Sequence, residues 1–127
     1  MKTINNNIQE ARVGFPNAKL LKEKGFNVKC KDFYNKVEVL NGSYHLEGSI
    51  EAPTQQLAID WIRINFDIQI FLDYTFYDGF HYGCKITIPN GDVEEIWTEG
   101  IDNDIDGSDT PEEAKEAAIN YVLTKLI

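Results

Sequence analysis

The acidic segment 102–113, DNDIDGSDTPEE, has the residue types and the spacing of a calcium-binding loop. Such a loop places oxygen ligands at positions 1, 3, 5, 7, 9 and 12 and a glycine at position 6, where the backbone turns sharply. These positions are filled, in order, by Asp102, Asp104, Asp106, Ser108, Thr110 (often acting through a water) and Glu113, and the glycine is Gly107. Calcium is a hard cation that prefers such oxygens. The segment therefore predicts a calcium site, and calcium is the only cofactor that the sequence suggests.

The second half of the same segment is also typical of a helix start. Thr110 is a favourable N-cap, Pro111 falls at the first helical position and Glu113 at the third, which is the spacing of a capping box. The preceding residues 91–101 resemble a strand, whereas an EF-hand needs a helix there. A calcium site would therefore be a lone strand–loop–helix site. The helix cap formed by Thr110 and Glu113 is expected with or without calcium.

The cysteines and histidines do not form a catalytic pattern. Cys30 and Cys84 are isolated in the sequence, so we expect two packed thiols, although one disulfide stays open. His81 and Cys84 are separated by an odd number of positions on a predicted strand, which places their side chains on opposite faces. His45 is predicted on the polar face of another strand. We therefore expect a protein that is not an enzyme.

The charge balance restricts the class of partner. The chain of 127 residues contains 21 acidic and 12 basic residues, a net charge of −9. Such a surface repels phosphate backbones, so nucleic acid is an unlikely partner and a basic protein a more suitable one. Mimicry of nucleic acid towards a basic partner is a further interpretation. The sequence has neither an apolar stretch long enough to cross a bilayer nor a secretory signal, so we expect a location in the cytoplasm of the host cell.

The first half of the chain predicts a helix and a hairpin. Residues 1–15 are rich in asparagine, and we expect a flexible arm there or a short element. The segment 16–24 predicts a helix that starts at Pro16 and stops before Gly25. Alternating residues on either side of Asn41-Gly42 predict a hairpin with a two-residue turn.

The second half predicts a helix, a meander and a final helix. Thr54 caps a helix, whose predicted apolar stripe is Leu57, Ala58, Trp61, Ile62 and Asn65. Residues 68–98 predict three antiparallel strands with turns at 78–79 and 90–91, the even-numbered residues of the first two strands facing the core. The predicted stripe of the last helix is Ala114, Ala117, Ala118, Tyr121, Val122 and Leu126.

Three aromatic residues of the meander fall outside the strict even register. They are Phe71, Tyr77 and Trp97, and we expect them to form part of a protein-binding surface. The element order is α-β-β-α-β-β-β-α, which predicts one α+β domain over residues 1–127 with amphipathic helices covering the antiparallel sheet.

Three segments carry a resemblance to known proteins. AKLLKEKGF (18–26), APTQQLAIDWIR (52–63) and TPEEAKEAAINYVL (110–123) resemble a set of small uncharacterised proteins from Bacteroides-type bacteria and their phages. The resemblance implies a fold and a phage or mobile-element context, and no chemistry. The order over residues 54–126 is similar to that of a double-stranded-RNA-binding domain, but the final helix lacks its basic pair. Residues 107–123 also resemble a HicB-type antitoxin, which would imply a small basic toxin as partner.

From these observations we expect an accessory protein that binds another protein through an acidic, aromatic-containing surface. A calcium-binding module that uses the 102–113 loop is the alternative.

Overall fold

The computed structural model describes residues 3, 4, 6, 8–35, 40, 49–76, 80–89, 91, 93–97 and 110–127. For residues 75, 76, 80 and 93–97 the description covers the backbone alone. The helices are α1 (Phe15–Glu23), α2 (Gln55–Phe66) and α3 (Pro111–Tyr121), and a π-helical turn at Val122–Leu126 continues α3. The strands are β1 (Phe33–Tyr34), β2 (Ile50–Glu51), β3 (Gln69–Phe76), β4 (Phe80–Thr87) and β5 (Val93–Trp97). The predicted α+β class is confirmed.

Helix α1 begins and ends within one residue of its predicted bounds. Its end is fixed by Gly25, whose φ of +106° suits a residue without a side chain. The amide N–H of Gly25 donates to the Lys22 carbonyl, and that of Phe26 donates to the Leu21 carbonyl at 2.9 Å. This is a Schellman motif, which satisfies carbonyls at the helix end and buries Phe26 against the core.

Residues 11–15 belong to the packed domain, so the interpretation of 1–15 as a flexible arm is wrong for this part. Val13 is fully buried, and Arg12 forms an antiparallel bridge with Thr54. The Val13 amide donates to the Pro53 carbonyl, and the Gln55 amide donates to the Ala11 carbonyl. These bonds satisfy backbone groups that would otherwise be buried without a partner.

The predicted hairpin with its turn at 41–42 lies almost entirely outside the described residues. The structure shows the strands on either side of it, β1 and β2, paired antiparallel with Phe33 opposite Glu51. Tyr34 also forms an isolated bridge with Leu40.

Helix α2 has the predicted cap and a partly different buried face. The Thr54 side chain accepts a hydrogen bond from the Leu57 amide at 3.1 Å, and Asp67 ends the helix with a φ of 57°. The buried residues are Gln55, Ala58, Ile59 and Ile62. The predicted stripe is therefore fully buried at two positions. Leu57 and Trp61 are partly buried and pack against the core, as expected, whereas Asn65 is exposed and Ile59 is buried although it was not predicted.

The meander is confirmed as a three-stranded antiparallel sheet in the order β3-β4-β5. Phe76 is opposite Phe80, so three residues, 77–79, connect β3 to β4. The predicted two-residue turn at 78–79 was too short by one residue. A two-residue turn would pair even-numbered with odd-numbered positions, whereas the observed register places even-numbered residues of both strands on one face.

Helix α3 covers that even-numbered face. Cys84 and Ile86 of β4 and Ile70 of β3 are buried in the core cluster to which α3 contributes Ala114, Ala118 and Ile119. Val122 and Leu123 of the π turn are also in the core, and they continue the helical spacing of Ala118 and Ile119. Among the other predicted positions, Tyr121 and Leu126 are half-buried and pack against the core, as expected, and Ala117 is half-buried.

A polar network joins the three helices at the carboxylate of Glu116 on α3. Its Oε2 accepts hydrogen bonds of 2.7 Å from the Gly14 amide and from Asn17 Nδ2 of α1. Its Oε1 accepts from Gln55 Nε2 of α2 at 3.0 Å, and Asn17 Oδ1 accepts from Asn120 Nδ2. Asn17 and Gln55 are buried, so these bonds are necessary to offset their removal from water.

The network predicts different effects for two identical substitutions on α3. Glu116→Gln replaces one acceptor oxygen with an NH2 group, which then faces a donor, so we expect a loss of about 1–3 kcal/mol in the free energy of unfolding. Glu112→Gln, at an exposed position, should change it by no more than about 0.5 kcal/mol. Urea denaturation of both variants measures the difference. Equal stability of the two variants would contradict the structural role of Glu116.

Candidate functional site

Exposed apolar side chains concentrate on strand β3. Phe71 is 50% exposed, Leu72 42% and Tyr74 53%. The other large hydrophobic residues exposed in the described part of the chain are scattered, and they are Ile4, Ile8, Val28 and Ile64. We call Phe71, Leu72 and Tyr74 the β3 strip. Single exposed apolar residues are normal on a protein surface, whereas a cluster marks a candidate interaction site.

The β3 strip exists because the helices cover only part of the sheet. On the even-numbered face Ile70 is buried, but the next residues of β3 on that face, Leu72 and Tyr74, are exposed. The Tyr74 ring packs against the ring of Tyr82 with centroids 4.6 Å apart, which extends the strip onto β4.

Phe71 lies on the opposite, odd-numbered face of the sheet. Near it, Asp73 Oδ2 and Lys85 Nζ are 4.0 Å apart, and both side chains are partly exposed. Asp73 is the single charged residue in β3, whose sequence is QIFLDYTF. The strip is therefore almost neutral, although the whole chain has a net charge of −9.

The structure describes the predicted protein-binding residues only in part, and their binding role stays a prediction. Phe71 is exposed, as expected for a binding residue. Tyr77 lies outside the described residues, and Trp97 is described only by its backbone in β5, opposite Gly83. Sequence reasoning missed Leu72 and Tyr74, which the alternating pattern predicted to be buried. No local signal in the sequence identifies them, because the alternation is the same in the covered and uncovered parts of a strand.

The predicted calcium ligands are mostly outside the described part of the chain. These are Asp102, Asp104, Asp106 and Ser108. Glu113 is exposed on the first turn of α3, where its amide donates to the Thr110 side-chain oxygen at 3.2 Å. The predicted cap is thus formed by Thr110. Residues 93–97 form strand β5, as expected, so an EF-hand helix does not directly precede the loop there. Within the described ranges, no group of three or more His, Cys, Asp or Glu residues could hold a metal.

The two cysteines are free thiols with raised pKa values. Burial raises the pKa of Cys84 to about 11, and its thiol donates to the Ala114 carbonyl at 3.6 Å. Burial, with the nearby charges of Glu51 and Asp32, also raises the pKa of Cys30 to about 11. Both thiols are therefore protonated at neutral pH, which makes them poor nucleophiles.

In the described part of the chain, the histidine is not placed to activate a cysteine thiol. His81 and Cys84 lie on opposite faces of β4, as the spacing predicted, and His45 is outside the described residues. The Nδ1 of His81 is buried without a hydrogen bond in the described structure.

None of the helices in the described ranges is sufficiently long and apolar to span a membrane. Comparison with known proteins found no family model, no curated protein and no solved structure that matches the chain. The functional argument therefore depends on the geometry and charge of the surface itself.

The raised thiol pKa values predict a loss of stability at alkaline pH. The pKa of Cys84 rises from 9.0 to about 11 on folding, so the unfolded state loses its proton first. The resulting stabilisation is fully present below the unfolded pKa of 9.0 and decreases as the pH rises towards about 11.

Urea denaturation at about pH 8 and about pH 10.5 measures this effect. We expect wild type to lose more stability than Cys84→Ala between these values, because the variant has no thiol at this position to ionise. Equal losses in the two proteins would contradict a buried, protonated Cys84.

Proposed function

We propose that the protein acts by binding another protein through the β3 strip. The observation that carries the proposal is that three large apolar side chains are exposed along one edge strand, Phe71 on one face and Leu72 and Tyr74 on the other. Aromatic side chains supply a large contact area at low entropic cost and are enriched at protein–protein interfaces. A partner that covers these apolar side chains removes them from water, and this burial contributes favourably to the free energy of binding.

The charges favour a protein over a nucleic acid. Exposed aromatic rings on a sheet can stack with bases, but that mode of binding also needs a positively charged groove. Here the net charge is −9, and Glu112 and Glu113 are exposed at the start of α3. The order α2-β3-β4-β5-α3 is that of a double-stranded-RNA-binding domain. In such a domain a pair of basic residues at the start of the last helix contacts phosphate, but this chain has Pro111 and Glu112 there.

The acidic surface also favours a basic or neutral partner. Complementary charge accelerates association. On the resemblance of its three segments, we place the protein among the accessory proteins of phages or mobile elements. A small basic toxin, as for a HicB-type antitoxin, and a basic nucleic-acid-binding protein that this chain mimics are partners of suitable charge.

A calcium-binding module is the second candidate function. The observation in its favour is that the cap at Thr110 uses the Glu113 amide and leaves the exposed Glu113 carboxylate available. Glu113 occupies position 12 of the loop, which supplies a bidentate carboxylate in known calcium loops.

The calcium hypothesis predicts that the metal stabilises wild type more than Glu113→Gln. At a calcium concentration about 100-fold above Kd, binding adds about 2.7 kcal/mol to stability, which raises the melting temperature of wild type by several degrees. The amide of the variant preserves the Thr110 cap but removes the carboxylate. Calorimetric titration and thermal melts of both proteins test this, and the absence of heat and of any shift in wild type would exclude the site.

The binding proposal predicts that capture of partners depends on the β3 strip. We expect Phe71→Ser and Leu72→Ser each to reduce the recovery of specific host proteins from lysate by about tenfold, the effect of removing an interface hot spot. Ile64→Ser is the matched control, because Ile64 is 69% exposed on α2. Quantitative mass spectrometry of the captured proteins measures recovery. Equal recovery by wild type and the strip variants would contradict the proposal.

A further inference from the structure

Strand β3 forms one edge of the sheet. In the order β3-β4-β5 it pairs with β4, and within the described ranges it has no second strand partner. Its eight residues give an edge about 26 Å long. The outer edge of such a strand presents backbone N–H and C=O groups that can pair with another strand.

The edge at β3 has few of the features that normally prevent pairing: Asp73 is its one charged residue, and Asp73 Oδ1 accepts a hydrogen bond from the Tyr74 amide at 3.0 Å. Monomeric proteins protect their edges with lysine, proline, bulges or inward charges. The sequence of β3, QIFLDYTF, contains no lysine, proline or glycine, whereas the other edge strand, β5, has the sequence VEEIW with two adjacent glutamates. The register of β3 with β4 is regular over all eight residue pairs, so no bulge interrupts it.

The charge distribution leaves β3 as the edge at which a second copy of the chain meets the least repulsion. Two copies with a net charge of −9 repel one another over most of their surfaces. At β3 the repulsion is smallest, because Asp73 is the single charge of the strand and Lys85 lies 4.0 Å from it. Edge-to-edge contact through β5 would instead bring the glutamates of both copies together.

We infer that β3 pairs antiparallel with β3 of a second copy, with Phe71 of each copy opposite Phe71 of the other. This register places Gln69 of one copy opposite Asp73 of the other, where the side-chain amide can donate to the carboxylate. It also places Ile70 of one copy opposite Leu72 of the other, where the two apolar side chains can pack. A register centred on Asp73 would place the Asp73 carboxylates of the two copies opposite each other. A register centred on Leu72 would place Phe71 of one copy opposite Asp73 of the other. The two copies form one six-stranded sheet, with the helices of both copies on the same face.

The inference rests on the proposed function, because it names the partner of the same β3 strip. One strand edge is small relative to the area of about 800 Å² per partner that a stable interface buries. The dimer is therefore weak and exchanges with monomer. Its affinity increases with salt, because salt screens the repulsion between the two acidic copies. A basic partner of another kind would bind more weakly as salt rises.

Sedimentation equilibrium of the purified full chain over a concentration series tests the inference. We expect wild type to shift from monomer to dimer as concentration rises, and more completely at high salt. Phe71→Lys should weaken the dimer by about tenfold or more. Ile64→Lys makes the same change of charge on α2 and should leave the dissociation constant within about twofold. A monomer at every concentration and salt, or equal weakening by both variants, would overturn the inference.

Disulfide trapping tests the register without disrupting the fold. In a Cys30→Ser background, Phe71→Cys should form a covalent dimer on oxidation, because the two substituted positions face each other across the two-fold axis. Asp73→Cys should not, because its counterpart faces Gln69. Faster trapping of Asp73→Cys would overturn the register.

The outcomes separate this inference from the proposed function. A strictly monomeric protein whose capture of host proteins still depends on Phe71 and Leu72 overturns the inference and supports the proposed function. If the recovery of host proteins is unchanged by the substitutions at Phe71 and Leu72, the proposed function is overturned, whatever the oligomeric state.

Discussion

The carboxylate of Glu116 holds together the parts of the domain that are farthest apart in sequence. It accepts hydrogen bonds from the Gly14 amide and Asn17 at the start of α1 and from Gln55 at the start of α2. These donors need an acceptor because the side chains of Asn17 and Gln55 are buried. The same charge, together with burial, raises the pKa of Tyr34, whose hydroxyl donates to the Val13 carbonyl. One ionised group thus positions α1, α2 and the segment that leads into α1 against α3.

Fixing α3 also determines which part of the sheet is covered. Ala114, two positions before Glu116, accepts the Cys84 thiol hydrogen bond and packs on the middle of β4. Ile70 of β3 is buried, whereas Leu72 and Tyr74 on the same face are exposed in the β3 strip. A protein that needed only stability would shorten or protect such an edge. The functional surface therefore follows from the same packing that stabilises the core, with no separate structural element.

Local signals in the sequence predicted the elements well. The caps at Thr54 and Thr110 and the alternation in β3 and β4 depend on neighbouring residues, and the structure confirms them. Long-range features were not predictable in this way. Asn17, Gln55 and Glu116 are polar residues on helices and resemble surface positions until the fold brings them together. Periodicity assigned Leu72 and Tyr74 to the core face but carries no information about where the covering helix ends. The buried face of the last helix includes Ile119 and Leu123, one position beyond the predicted stripe, because its rotation against the sheet is set by tertiary packing.

Binding at β3 requires that the outer edge of this strand is open. Amide hydrogen exchange of the dilute protein measures directly whether the backbone N–H groups of that edge are protected. In an antiparallel pair, alternate residues of an edge strand direct their N–H groups to the neighbouring strand, and the others direct them outward. We therefore predict that slow and fast amides alternate from Gln69 to Asp73, whereas the amides in the middle of β4, which has strands on both sides, are uniformly slow. Uniformly slow exchange along β3 in dilute protein would show that the edge is already covered and would contradict the proposed binding surface.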